Sequence, residues 1–256
     1  MTFTPMDEPS LSEEDGVRYL HFGSPWVQGA MQIRRPDHLV LEYTRQMMAW
    51  ALFVEPTADD RFANLGLGAA AVVRYLLAHT PVSVDTVERN PQVTAACQAW
   101  FRFQPSARAT VIHEDASQWV ERPENHGQYR VLLVDLYDSA AQGPVCDTPE
   151  FYRGCHDVLT ADGLMVVNLF GNHPSYEHNL HTINQAFSDR VAVLPPSRAG
   201  NRIVLAFRPG ALQAATAASV LAQADKLSQT FGYPAHKWAR SCLTQLQNGN
   251  QAPEMR

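Results

Sequence analysis

No wholly apolar run in the sequence is longer than the eight residues from Met47 to Val54. A membrane-crossing helix needs roughly 20, so no helical membrane span and no membrane partner are expected. A basic excess is also missing: 26 acids outnumber 20 lysines and arginines, for a net charge of −6. A general nucleic-acid binder would carry the opposite balance, so no nucleic-acid partner is expected. Cysteine is scarce. The four, at positions 97, 146, 155 and 242, include no pair with metal-finger or redox-motif spacing, which points to reduced thiols in a cytoplasmic protein. The histidines are scattered; His178 and His181 lie close together, but no acid or cysteine completes a ligand set, so no metal is expected. There is no Gly-x-Ser-x-Gly elbow and no Gly-Lys-Ser/Thr phosphate cradle, which argues against those two chemistries. The opening MTFTPMDEPS has neither a basic start nor an apolar stretch, so no signal peptide is expected.

What remains is a chain of 256 residues that is 45% apolar, enough to bury a core. Three zones are expected. Residues 1–36 hold short alternating stretches, VRYLHF and WVQGAMQI, around Gly23, Pro25 and Gly29, as antiparallel strands would. Residues 37–208 alternate helical and strand patterns: a helix over His38 to Phe53, then FANLGLG, AAAVVRYLLAHT, VSVDTVE, PQVTAACQAWFRF, ATVIHED, ASQWVERP, YRVLLVDLYD, TPEFYRGCHDVL, GLMVVNLF, a helix over His178 to Phe187, and the strands RVAVLP and NRIVLAF. Such alternation implies an α/β fold with a doubly wound, mainly parallel sheet. The last two strands have no helix between them and should close one edge as an antiparallel hairpin. Residues 209–256 open on Pro-Gly and continue as one amphipathic helix, ALQAATAASVLAQADKLSQTF, ending in a frayed QNGNQAPEMR.

Ligands in such sheets bind beyond the carboxyl ends of the strands, and four strand ends carry suggestive residues. In Asn64-Leu65-Gly66-Leu67-Gly68-Ala69-Ala70-Ala71, Gly66 and Gly68 follow a strand and open a helix, which lets the backbone approach a ligand beside a positive helix end. Glu88 ends the next strand, where a carboxylate can accept from both hydroxyls of a ribose. Asp115, in His113-Glu114-Asp115-Ala116, lies where an adenine amino group would sit; it is equally suited to cap the helix that follows. Asp135 and Asp138 follow a strand apolar throughout. An acid there is costly unless paired or facing a cleft. The two could flank a cation, and Asp135 could take a proton from an attacking amine; turn formation is the plainer alternative.

Together these motifs resemble the polyamine aminopropyltransferases, the spermidine and spermine synthases, over roughly residues 15–208. GVRYLHFGSPWVQ is similar to that family's opening hairpin, which ends in a ligand-contacting glutamine, here Gln28. LEYTRQMM is similar to its helix with a substrate-facing tyrosine, here Tyr43. LGLG, VERN, EDA and DLYD match its nucleotide loop, ribose-binding acid, adenine-binding Asp-Ala and catalytic acid pair. The resemblance implies a class I methyltransferase-like sheet preceded by a small β-hairpin region. It implies Gln28, Gly66, Gly68, Glu88, Asp115 and Ala116 on the nucleoside ligand, with Asp135, Asp138 and Tyr43 at the reacting amine. It also implies a transferase with no tightly bound cofactor. Decarboxylated S-adenosylmethionine or S-adenosylmethionine would be its co-substrate, a small-molecule amine its acceptor, and a homodimer its assembly. Three features depart from the family. Ala69-Ala70-Ala71 stands where a loop aspartate would grip the donor's ammonium. Arg45 follows Thr44 where a glutamate is usual and would repel a diamine if it entered the cleft. The stretch from Asp138 to Pro144 is longer than the compact family turn. Methyl transfer from S-adenosylmethionine and a non-catalytic nucleoside-binding role therefore stand as alternatives. Nicotinamide chemistry is a fourth reading, resting on the glycines and Glu88 alone.

Overall fold

A computed structural model describes residues 8–137 and 145–249. In chain order the elements are β1 (Pro9–Glu14), β2 (Val17–Phe22), β3 (Gly29–Gln32), α1 (Glu42–Met47), β4 (Arg61–Leu65), α2 (Ala71–His79), β5 (Ser83–Val87), α3 (Pro91–Trp100), β6 (Ala109–Ile112), α4 (Ala116–Val120), β7 (Tyr129–Val134), α5 (Pro149–Asp157), β8 (Leu159–Phe170), α6 (Tyr176–Phe187), β9 (Val191–Val193), β10 (Asn201–Phe207), α7 (Pro209–Ala214), α8 (Ala217–Phe231) and α9 (Ala235–Gly249). Short 3-10 turns cover Met48–Leu52 and Pro123–Asn125.

The first three strands form an antiparallel sheet in the order β1-β2-β3. The other seven form one sheet in the order β6-β5-β4-β7-β8-β10-β9. Its first five strands are parallel, and β10 pairs antiparallel with both β8 and β9. The expected α/β sheet with a closing antiparallel hairpin is thus the fold. β7 shows why these residues make a central strand. Val131 and Leu133 enter the hydrophobic cluster on one face, Leu132 and Val134 the cluster on the other. A strand covered on both faces reads as an unbroken apolar run. From β4 the chain winds outward to β6 and then returns to lay β7 on the far side of β4. The switch point of the sheet, where a crevice opens, therefore lies between Leu65 and Val134.

Three local expectations need correction. The helix over His38 to Phe53 is shorter: α1 starts at Glu42 and gives way to a 3-10 turn at Met48. The carbonyls of Leu39 and Val40 are taken by the Arg45 guanidinium, at 2.9 and 2.5 Å, and the backbone ahead of the helix stays non-helical. The single helix after Pro209 is two, because the Thr216 hydroxyl accepts the Ser219 N–H at 3.1 Å and starts α8 afresh. Such a cap satisfies a donor that the helix start would leave free. Third, α9 runs on through Gly249, past the point where fraying was expected. It buries Trp238, Ala239 and Cys242 in the same cluster as Leu133 and Val166 of the sheet. No helix among the described residues is long and apolar enough to cross a membrane.

Candidate functional site

One cavity of about 1000 Å³ opens at the carboxyl edge of the large sheet, at the upper end of the range for small-molecule sites. Gln28, Tyr43, Gly66, Gly68, Glu88, Asp115, Ala116 and Asp135 all line it. Asp138 lies outside the described residues. Trp26, 59% exposed, Phe22 and Pro25 of the small sheet stand at the wall, so the N-terminal strands complete the site that the large sheet begins.

The glycine loop is shaped by contact with its neighbours. Gly66 has φ +91°, and a Cβ there would run into the Asp135 carbonyl oxygen. The Gly66 N–H reaches the Val87 carbonyl at 2.9 Å, and the Asp135 N–H reaches Leu65 at 3.0 Å. Three strand ends are therefore laced together around the switch point. Glu88 adds a clamp. Its two oxygens accept the N–H groups of Leu67, at 3.0 Å, and Asn90, at 2.8 Å. Burial pushes the Glu88 carboxyl up, while these two N–H donors pull it down. Asp115 caps α4, accepting from the Ser117 N–H at 2.9 Å and the Ser117 hydroxyl at 2.5 Å through one oxygen, Oδ1. The capping alternative read from the sequence is thus present at a residue that also lines the cavity. Glu114 beside it is ion-paired to Arg122 at 2.7 Å.

Asp135 sits at the end of a donor chain. The Ser197 hydroxyl bonds to Asn201 Oδ1 at 3.2 Å, and Asn201 Nδ2 donates to Asn168 Oδ1 at 3.0 Å. Asn168 Nδ2 donates to Asp135 Oδ1 at 2.8 Å, and the Tyr43 hydroxyl donates to Oδ2 at 3.1 Å. Burial pushes the Asp135 carboxyl up; the bonds from Asn168 and Tyr43 hold it down. Burial and the neighbouring carboxylate push the Tyr43 phenol well above its usual range, so it stays a proton donor. The carboxylate is held in one orientation by one amide and a phenol, with Asn201 backing that amide so that each donor polarises the next.

Asn168 and Asn201 are site residues beyond those the sequence pattern predicts. Their signal was available: Asn168 interrupts the apolar run of β8, and it is 2% exposed. An amide so placed needs partners. Asn201 is harder to see, because only the antiparallel register, which sets Asn201 opposite Phe170, brings the start of β10 to the carboxyl edge of β8. Arg45 does not line the cavity; its bonds to Leu39 and Val40 turn it away. The repulsion considered for a diamine does not arise. Glu42, one place before Tyr43, does line it, and its Oε2 accepts the Arg198 N–H at 2.9 Å. Cys146 also lines it, with a thiol that burial pushes up to about 11 and so leaves protonated. Among the described residues no cluster of three or more His, Cys, Asp or Glu could hold a metal ion.

No protein-family model matches the sequence. Among curated sequences, the chain is 30% identical over 232 residues to the polyamine aminopropyltransferase of Neisseria meningitidis serogroup A, covering 90% of this chain and 87% of that protein. Among solved structures, it superposes on a probable spermidine synthase from Corynebacterium glutamicum with a TM-score of 0.69 and 19% identity, over 94% of this chain and 95% of the other. It superposes on human methyltransferase-like protein 13 in complex with SAH with a TM-score of 0.65 and 22% identity, over 76% and 94%. Both structural likenesses are likenesses of fold.

Proposed function

The chain belongs to the polyamine aminopropyltransferase family, and from that premise we propose that it moves an aminopropyl group from decarboxylated S-adenosylmethionine to a small amine. The amine nitrogen attacks the methylene carbon beside the sulfonium. A new C–N bond forms, the C–S bond breaks, and its electron pair returns to sulfur, releasing neutral methylthioadenosine. The proton lost by the nitrogen passes to the Asp135 carboxylate. Asp135 is the observation that carries this reading: a half-buried carboxylate on the cavity wall, fixed by Tyr43 and Asn168, beside the loop on which the donor would lie. General-base help of this kind requires a group within hydrogen-bond reach and held in place. Proximity of two bound reactants supplies the rest.

In this reading Gln28, Gly66, Gly68, Glu88, Asp115 and Ala116 bind the nucleoside ligand, and Tyr43 lines the reacting end. Support comes from their convergence on one cavity. Asp138, the second acid of the pair, belongs to the same proposal on resemblance alone. The methyltransferase alternative is carried only by likeness of fold. We further take the protein to be a cytoplasmic homodimer, with Leu11, exposed on β1, on the face for a second copy. Sedimentation velocity tests the dimer.

The direct test is to follow which thioether each sulfonium donor releases in the presence of mono- and diamines, methylthioadenosine on loss of the aminopropyl arm or S-adenosylhomocysteine on loss of the methyl group. Release of methylthioadenosine from the decarboxylated donor, with an amine as the aminopropyl acceptor, is the expected outcome; methyl transfer from the carboxylated one instead would overturn the reading. Two variants sharpen it. Glu88→Ala should weaken methylthioadenosine, measured by calorimetry, by roughly 1 to 3 kcal/mol, because both the loop clamp and the ribose acceptor go; unchanged affinity would remove Glu88 from the site. Tyr43→Phe removes a bond that holds the Asp135 carboxyl down. The acidic limb of the kcat/KM profile should then move to higher pH. A profile that stays put while activity falls would make Tyr43 a packing residue.

A further inference from the structure

Asn168, Asn201 and Ser197 are uncharged and buried. A chain of neutral amides and hydroxyls can be written in two directions, since each group both donates and accepts. Here one direction is pinned. The loop between β9 and β10 folds back on itself: the Ser197 N–H reaches the Asn201 carbonyl at 2.9 Å, and the Asn201 N–H reaches Ser197 Oγ at 3.0 Å. A backbone N–H only donates. The serine oxygen therefore accepts from it and sends its own proton on to Asn201 Oδ1. With its oxygen occupied, Asn201 turns Nδ2 to Asn168 Oδ1, and Asn168 in turn presents Nδ2 to Asp135.

Reversal carries two costs. Turning both amides over sets the Asn168 oxygen against Asp135, two acceptors face to face unless the carboxyl takes up a proton. It also strands the proton of the buried Ser197 hydroxyl. Nothing else that faces Asp135 fixes the direction. Tyr43 from α1 and Tyr137 beyond β7 carry phenols that burial pushes well up, so both stay neutral. The Tyr137 phenol donates to the main-chain carbonyl of Asn168 at 3.1 Å, not to its amide. Glu42 and His173 line the same cavity but are engaged elsewhere, with the Arg198 N–H at 2.9 Å and the Ser175 hydroxyl at 2.7 Å.

We propose, resting on the aminopropyl-transfer reading above, that Ser197 and Asn201 are positioning residues: they fix the direction of the amide chain from a main-chain N–H, hold Asn168 as a donor to Asp135, and so keep the base ready to accept a proton. Neither has to touch the amine to do this. The polarity of the reacting carboxylate is set three hydrogen bonds away, by a loop at the edge of the sheet.

The test reads Asp135 itself. The NMR resonance of its carboxyl carbon, assigned by its loss in Asp135→Asn, is titrated in the full chain without ligand, beside the acidic limb of the kcat/KM profile. In Ser197→Ala and in Asn201→Leu both should move to higher pH by about half a unit to one unit. The chain can then turn over, and a protonated carboxyl gains the Asn168 oxygen as its acceptor. Ser197→Thr keeps the hydroxyl and should titrate within about 0.2 unit of the wild type. Each of the two disruptive variants guards against a failure of the other to fold. A carboxyl that titrates unchanged in both overturns the proposal, even where turnover falls, because the residues then only pack. A shift as large in Ser197→Thr as in Ser197→Ala overturns it too, since the hydroxyl is then not what matters. Should the wild type release no methylthioadenosine, the aminopropyl reading falls and the carboxyl titration still decides the direction of the chain. Normal turnover with a titration blind to both residues removes only the role of Ser197 and Asn201.

Discussion

Asp135→Asn should cut turnover about 100- to 10,000-fold, leave methylthioadenosine affinity nearly intact, and raise the melting temperature at neutral pH. The three effects have one cause. An amide is nearly the size of a carboxylate and can keep both contacts, its oxygen accepting from Asn168 and its NH₂ donating to the Tyr43 oxygen, which is free to accept once it no longer donates. What it cannot do is take a proton from the attacking nitrogen. The gain in stability follows from burial, which pushes the Asp135 carboxyl above its unfolded value. A raised acid contributes its stability in full below the unfolded value, about 4 for an aspartate. That contribution is lost as pH rises through the folded value. At neutral pH the ionised group is therefore a cost, and the variant is relieved of it. The melting difference should close on acidification. Turnover with saturating donor and amine, calorimetry with methylthioadenosine and melting across pH check the three parts. A variant that melts lower and loses methylthioadenosine together with turnover would make Asp135 a structural residue.

The same carboxylate shows which parts of the molecule are legible in the sequence. Asp135 stands out because it ends a run whose alternate residues go to opposite faces of the sheet, and a charge placed there must have an outlet. Gly66 and Glu88 stand out for a related reason: each closes a strand whose period and length are plain. Asn168 carries the same signal in weaker form, as one amide in an apolar strand. Asn201 carries almost none, since its place depends on a register between strands joined through a whole helix and a short edge strand. The helix boundaries at Glu42 and Ala217 are hidden in the sequence because side chains decide them. The Arg45 guanidinium takes carbonyls that a longer helix would have used, and Thr216 caps a helix inside a stretch whose apolar period continues unbroken. Periodicity sees the apolar face of a helix and is blind to such competition. The departure at Arg45 also illustrates the limit of motif matching: a basic residue near Tyr43 looks adverse in a line of letters, whereas its hydrogen bonds to Leu39 and Val40 hold it out of the cavity lining.

Gly66→Ala should be the most damaging single methyl group that can be added to the glycine loop. Two costs add. The residue has φ +91°, and a side chain held in an unfavourable backbone region costs about 1 to 3 kcal/mol. The new Cβ would also strike the Asp135 carbonyl oxygen, so the two strand ends at the switch point must part. Other loop positions separate these terms. Ala70 already has φ +54°, which shows that a methyl group in the left-handed region is tolerable where space allows. At Gly23, φ +63°, a Cβ would meet nothing within 4 Å, so Gly23→Ala carries the conformational cost alone, about 1 kcal/mol. Gly68 is intermediate, its Cβ lying 3.2 Å from the Gln28 carbonyl. Urea unfolding should rank the losses Gly66 > Gly68 > Gly23, with Gly66→Ala at about 2 to 4 kcal/mol. Methylthioadenosine should bind Gly23→Ala normally and Gly66→Ala at least about tenfold more weakly, since the clash falls on the strand end that presents Asp135 and on the loop that Glu88 holds through Leu67. Equal stability losses at the two positions with unaltered binding would reduce Gly66 to a turn residue, and the glycine loop would no longer be evidence for a nucleoside.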